Sequence, residues 1–251
     1  MPSPIACVLS YGLMCASGDV IAEVPPPTPL VAALVDPGSA EVEPGQPATE
    51  TPVKGSASKV LAQVQSFYDA TKDLTSQFKQ TYVHPVYGTK TVSNGTLKVK
   101  KPGKMVWDYA AKNAADFYVT RTKLQVVEHD LRQVVSRSVD TADFAGAEKF
   151  LFGGSQLVDD FRVRLASDRL VETYGQAGHT VIELAPKKKN PHYRTLLLVV
   201  DDGTGRVDAF VVRNTDKSVN HFVLSGLDRN TGIADSAFTF TKPKGYAEVD
   251  G

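Results

Sequence analysis

Apolar positions first recur with a helical period after residue 55. Val60, Leu61, Val64, Phe67 and Tyr68 fall on one face of a helix predicted over residues 56–73, with Ser56 or Ser58 placed to cap its start. The period then changes to two. Leu74, Ser76, Phe78, Gln80 and Tyr82 alternate with polar partners. In the run 91–101, Leu97 and Val99 face away from Lys98 and Lys100, and Met105, Trp107 and Tyr109 alternate with Lys104, Val106 and Asp108. Further strand-like runs follow at 115–120, 123–129, 132–139, 160–166, 179–185, 194–201, 206–213 and 217–225, with a last short one at 238–240. Turn signals stand at Pro85 to Gly88, Pro102-Gly103 and Asp202-Gly203. Asn94-Gly95 reads as another turn or as a bulge inside a strand. Between 140 and 158 the alternation stops. Phe144, Ala147, Phe150 and Leu151 recur at helical spacing before Gly153-Gly154, which predicts one or two short helices.

About eleven strands joined by short turns, with one long early helix and a mid-chain helical insertion, predict an α+β fold that is mainly β. The expected form is an open, incomplete antiparallel β-barrel with a helical lid or plug. A one-sided apolar sheet either packs on a helix or lines a ligand cavity, and alternation does not separate the two.

Composition divides the chain. Residues 5–17, IACVLSYGLMCAS, form an apolar run too short to span a bilayer as a helix, with small residues after it, so 1–18 reads as a signal-like leader. No Lys or Arg precedes the run. Both cysteines, Cys7 and Cys15, lie in it, so the folded part carries no disulfide and no Cys-based zinc site. Neither cysteine has the residues before it that lipid attachment favours: Met14 and Gly12 precede Cys15, and Ala6 and Pro4 precede Cys7. Residues 19–55, with PPPTP and EVEPGQPATETP, read as a Pro-rich extended linker. Residues 56–251 form the folded domain. The overall charge is zero, but residues 1–55 hold six acidic groups and one basic, which leaves a mild basic excess in the domain. That excess is too small for a dedicated nucleic-acid binder.

Catalytic signatures are missing. There is no G-x-S-x-G elbow, Walker loop or H-E-x-x-H motif. His84, His129, His179, His192 and His221 are scattered without metal-ligand spacing. Asp159-Asp160 and Asp201-Asp202 read as solvated turn acids, and Lys187-Lys188-Lys189 as a solvated loop with a weaker reading as a contact for acidic lipid or an acidic partner. The expectation is a non-enzyme without metal or cofactor.

Four stretches resemble the LolA family of periplasmic lipoprotein carriers. They are Ser66-Phe67-Tyr68 leading into Lys72–Gln80, Gly95-Thr96-Leu97 with Val99–Tyr109, Val127–Val134, and Phe238–Tyr246, in order and at similar spacing across 57–250. The resemblance implies export to the periplasm of a Gram-negative bacterium, as a soluble or N-terminally tethered monomer. It also implies an apolar interior that receives the acyl chains of lipoproteins, taken from an inner-membrane ABC transporter and passed to an outer-membrane acceptor. On that pattern Phe78, Leu97, Met105, Trp107, Phe117 and Leu124 are the expected cavity wall, and Val64, Phe67, Phe150 and Leu151 the apolar face of the lid. Lys101 stands where the family has an Arg that hydrogen-bonds lid carbonyls, so it is the latch candidate, without the planar fork of donors. Arg121-Thr122-Lys123 replaces the family's Asp-Gly turn, and the long linker fits a tethered relative. Rival readings are a periplasmic lipid or lipoprotein sensor of the same fold, and a tethered structural β domain.

Overall fold

The computed structural model describes residues 54–111, 114–138 and 156–250. The leader, most of the linker and most of the helical insertion, including Phe150 and Leu151, lie outside the described residues. Helix α1 runs Lys54–Asp69, and strands β1 (Asp73–Val83), β2 (Lys90–Lys100), β3 (Lys104–Tyr109), β4 (Ala115–Val119), β5 (Lys123–Glu128) and β6 (Gln133–Ser138) follow. After them come the single turn α2 (Leu157–Asp160), β7 (Phe161–Leu165), helix α3 (Asp168–Tyr174), β8 (His179–Pro186), β9 (Tyr193–Asp201), β10 (Val207–Asn214) and β11 (Val219–Arg229). A 3-10 turn at Asp235–Phe238 and β12 (Ala247–Asp250) close the described chain.

The strands form one unclosed sheet in the order β12-β6-β5-β4-β3-β2-β1-β11-β10-β9-β8-β7. Two antiparallel meanders are joined where β11 returns to pair with β1, Phe78 opposite Leu224 and Val83 opposite Val219. The inward face buries Leu74, Phe78, Leu97, Met105, Trp107, Phe117, Leu124, Phe210 and Phe222 in one core, and α1 lays Ala57, Leu61, Val64, Phe67 and Tyr68 into it. Among the described residues no helix is long and apolar enough to cross a membrane.

Several expectations need correction. Helix α1 ends at Asp69, not near 73, because Thr71 turns back to donate its hydroxyl to the Phe67 carbonyl (2.8 Å) and Asp73 already belongs to β1. Asn94-Gly95 is neither a turn nor a bulge: both residues pair in unbroken register with β1, and Gly95 pairs with β3 as well. Residues 238–240 are not a strand, since Phe238 ends the 3-10 turn. Among the described residues there are twelve strands where about eleven were expected, with β12 adding in parallel to β6. Every residue of β12 is exposed, so no apolar alternation announces it. Side-chain ties place it instead: Tyr246 meets His129 (2.9 Å), whose other ring nitrogen meets Asp116 (2.9 Å), and Phe240 packs on Tyr118.

Helix α3 has no counterpart among the predicted elements. It helps cover a second, outward core of Val181, Leu197, Val199, Ala209 and Val211, using Leu170 and Tyr174. Strand β9 is therefore buried on both sides: Leu196, Leu198 and Val200 join the inner core while Leu197 and Val199 join the outer one. An unbroken apolar run is the pattern that two-sided burial requires.

Candidate functional site

The candidate site is the inward face of the sheet and the helix lying on it. All six expected wall residues, Phe78, Leu97, Met105, Trp107, Phe117 and Leu124, fall in that one core with Val64 and Phe67 of α1. Among the described residues they pack on one another and on the aromatic neighbours Tyr109, Phe210 and Phe222. Phe78 meets Trp107 and Tyr109 edge-on, each at 4.9 Å between centroids, and Trp107 reaches Phe222 at 5.3 Å, itself stacked on Phe210 at 4.7 Å. The Trp107 indole N–H points at the Met105 sulfur (2.9 Å). The signal for Phe222 was present in the alternation Asn220, Phe222, Leu224.

One polar chain crosses this interior. The Tyr109 hydroxyl donates to Gln80 Oε1 (2.8 Å), and Gln80 Nε2 donates to Asn220 Oδ1 (2.8 Å), all three residues being buried. Burial pushes the Tyr109 hydroxyl well above its ordinary pKa, so it stays protonated and remains a donor. Leaving any of these groups unpaired would cost about 1–3 kcal/mol, so the chain fixes the registry of β1, β3 and β11.

Helix α1 is held at its C-terminal end by three residues from two places in the sheet. Lys101, in the β2–β3 turn, donates its ammonium to the Tyr68 carbonyl. Arg229, at the end of β11, donates to the Phe67 carbonyl (3.3 Å) and lies over the Phe67 ring at 4.2 Å. Asn230 donates to the Ala70 carbonyl (3.1 Å) and accepts from the Lys72 backbone N–H (2.7 Å). The buried Asp73 carboxylate aligns this segment by accepting from the backbone N–H of Thr231 (2.9 Å) and Gly232 (3.2 Å). Carbonyls at a helix C-terminus lack intrahelical partners and carry partial negative charge, so cations are the fitting caps. Burial pulls the Lys101 pKa below the usual lysine range, and the nearby Asp69 carboxylate opposes that shift. The sequence pointed to Lys101 but not to Arg229 or Asn230, which only the return of β11 beside β1 brings under the helix.

Shallow grooves run along both sides of α1. One of about 350 Å³ lies towards α2, between Leu61, Gln65 and Val158. The other, of about 440 Å³, lies towards the β9–β10 turn, between Lys59, Gln63, Gly203 and Arg229. Helix and sheet also touch directly. A Cβ on Gly205 would come within 2.6 Å of the Gln63 backbone.

A cluster near that turn resembles a metal site but is built as an ion-pair brace. The ligand atoms of His179, Asp201 and Asp208 lie within 4.8 Å of one another. Both Asp208 oxygens are already engaged, by Arg206 Nε (2.5 Å) and Nη2 (2.8 Å) and by His179 Nε2 (2.8 Å). Burial works against the Asp208 carboxylate, but these hydrogen bonds outweigh it and hold its pKa below the ordinary range. The Arg206 guanidinium supplies the positive charge that a cation would bring.

Residues 69–241 match the family described as outer membrane lipoprotein carrier protein LolA. An outer-membrane lipoprotein carrier protein of Cupriavidus taiwanensis is 29% identical over 189 residues, 73% of this chain and 84% of that protein. One from Chromobacterium violaceum is 23% identical over 193 residues, 76% of this chain and 87% of its own length. Among solved structures, a LolA superfamily protein from Nitrosomonas europaea matches with a TM-score of 0.42 at 11% identity, over 73% of this chain and 97% of that one.

Proposed function

Because the chain belongs to the LolA family of outer membrane lipoprotein carrier proteins, we propose that it is a periplasmic, non-catalytic carrier that shelters lipoprotein acyl chains against the inward face of its sheet. The single observation carrying this reading is the kind of surface α1 covers. The helix closes an aromatic and aliphatic face with an apolar stripe of its own, and its polar ties gather at its C-terminal end.

Such a lid can be exchanged for a lipid. A chain of about sixteen carbons gains on the order of 13 kcal/mol on leaving water, at about 0.8 kcal/mol per CH₂. Uncovering the Leu61, Val64, Phe67 and Tyr68 side chains costs roughly 6–12 kcal/mol. The two are close, so an acyl chain that displaces α1 binds reversibly, as a carrier requires. Phe78, Leu97, Met105, Trp107, Phe117 and Leu124 then become the wall around the chain, and Met105 supplies a deformable surface. The donor is an inner-membrane ABC transporter and the recipient an outer-membrane acceptor.

The test is binding of a fluorescent acylated lipopeptide, with hydrogen exchange read at α1. The expected result is saturable binding of the acylated but not the unacylated peptide, with faster exchange in α1 and unchanged exchange in β1–β3. Absence of acyl-dependent binding, or binding with α1 undisturbed, would sink this reading.

Lys101 acts in this scheme as the latch of the closed state. Lys101→Ala removes a charge-assisted bond from a half-buried site, worth about 1 kcal/mol there. Exchange at the last turn of α1 is expected to speed up roughly fivefold. Lys101→Arg, whose planar fork can reach more than one carbonyl, is expected to slow both that exchange and acyl uptake. Equal α1 exchange in all three proteins would show that Lys101 is no latch.

A further inference from the structure

The end of the sheet remote from the α1 latch carries three adjacent turns, and on them apolar and basic groups are displayed together. Val86 and Tyr87, at the tip of the β1–β2 hairpin, are 77% and 78% exposed, the most of any large hydrophobic side chains among the described residues. Their exposure is enforced by the loop. His84 N–H donates to the Thr89 carbonyl (2.9 Å) and Gly88 N–H to the His84 carbonyl (3.1 Å). The backbone N–H groups of Val86 and Tyr87 both donate to His84 Nδ1 (3.2 and 3.3 Å), and the His84 ring stacks on Tyr87 at 5.0 Å. The turn thus spends its hydrogen bonds holding two apolar side chains in water, already arranged for contact.

The neighbouring turns supply charge. Val83 pairs with Val219, which sets the β10–β11 turn beside this tip. Thr215 binds the His192 and Pro191 carbonyls (3.0 and 2.8 Å), which ties that turn to the β8–β9 loop. Along the row Lys90, Lys188, Lys189 and Lys217 are exposed, and Lys187 is spent on the Val158 carbonyl (2.8 Å). The acid within these turns, Asp216, is occupied capping Ser218 (2.9 and 2.7 Å), while Asp159 and Asp160 sit behind Lys187 in α2.

We infer that this end of the sheet is a docking surface for an anionic phospholipid membrane. An aromatic tip with an aliphatic neighbour suits the boundary between headgroups and acyl chains, where tyrosine is favoured. Lysines set beside it can lie along the surface with their ammonium groups among lipid phosphates, each worth about 1 kcal/mol, or roughly fivefold in partitioning. A site for a protein partner would need only the apolar tip; the lysine row around it is what selects a negatively charged lipid surface. The inference goes beyond acyl-chain carriage and uses a different surface, so it stands or falls separately.

The test is flotation of the ligand-free protein with vesicles of phosphatidylethanolamine and phosphatidylglycerol, against vesicles of phosphatidylcholine alone. The expected result is binding to the anionic vesicles that weakens with salt. Val86→Asp with Tyr87→Asp, and separately Lys188→Glu with Lys189→Glu and Lys217→Glu, should each lower it tenfold or more, with thermal melting unchanged. Emission from Val86→Trp should shift to the blue on anionic vesicles, over the constant background of the buried Trp107. Failure to bind anionic vesicles, equal binding to neutral ones, or binding that survives both sets of substitutions overturns the inference. So would loss of a protein complex, with no lipid binding, on Val86→Asp.

Discussion

Gly95→Ala is expected to lower the stability of the domain by about 3 kcal/mol, read as a fall in the urea midpoint with an unchanged slope. The added Cβ would lie 2.1 Å from the Asp108 carbonyl oxygen and 2.7 Å from the Phe78 ring. Neither neighbour can step aside cheaply. The carbonyl belongs to β3, paired with β2 from Gly95 to Lys100, and Phe78 is braced by Trp107, Tyr109 and Phe222. Glycine in a strand interior often marks a close approach of this kind. Gly88 is the control, because it sits in the β1–β2 turn at φ +63° with nothing within 4 Å of its would-be Cβ. Gly88→Ala therefore meets only the cost of a left-handed backbone, about 1–2 kcal/mol. If the two substitutions cost the same, the close packing of Phe78 over β2 is wrong.

The same pair of glycines marks how far the sequence could be read. Gly88 follows Pro85 in a turn-rich stretch, and local composition identifies it correctly. Gly95 follows Asn94, the strongest dipeptide signal for a turn, yet its glycine is needed because of Phe78, seventeen positions earlier in the chain, and that contact exists only once β1 and β2 pair. Period-two alternation made β1, β3 and most of the inward-facing core residues legible, because burial on one face leaves that mark directly in the sequence. The family resemblance added Lys101, which no periodicity distinguishes from Lys98 or Lys100. Features that depend on contacts between distant strands left no such mark. Arg229 and Asn230 look like any polar turn residues until the β1–β11 pairing carries them beneath α1. Helix α3 has only Leu170 and Tyr174 to show for its packing, too few for a helical period to stand out. The unbroken Leu196–Val200 run did carry the news that both faces of β9 are covered, but it says nothing of what covers the outer one.

Gly205→Ala is expected to free α1 from the sheet without unfolding the sheet, raising hydrogen exchange in the middle of α1 by about thirtyfold, or about 2 kcal/mol of local stability. Gly205 has φ +78°, and its Cβ would meet the Gln63 carbonyl carbon and oxygen at 2.6 Å. Either the β9–β10 turn or the helix has to give way, and the turn is the stiffer of the two. Gly205 N–H donates to the Asp201 carbonyl (2.9 Å), and Asp201 Oδ1 accepts from both the backbone N–H and the hydroxyl of Thr204 (2.8 and 2.6 Å). The Thr204 hydroxyl bond is the main cause holding the Asp201 carboxyl below its ordinary range, so the carboxylate stays ionised and the turn stays braced. Just beyond it, Arg206 and His179 clamp Asp208. Among the described residues Gln63 of α1 has no comparable bracing, only apolar contact below and shallow grooves on either side; the nearest polar tie to the rest of the chain is Gln65, whose Oε1 accepts from the Leu157 N–H (2.9 Å). The helix is therefore the part that lifts, still tethered beyond Gln63 by the Gln65–Leu157 bond and by Lys101, Arg229 and Asn230. On the carrier reading this lifted state resembles the one an acyl chain must create, so Gly205→Ala should bind the acylated lipopeptide several-fold more tightly than the parent chain. Faster exchange confined to the β9–β10 turn, with α1 and lipopeptide affinity unchanged, would mean that the turn yields and that α1 is not a movable lid.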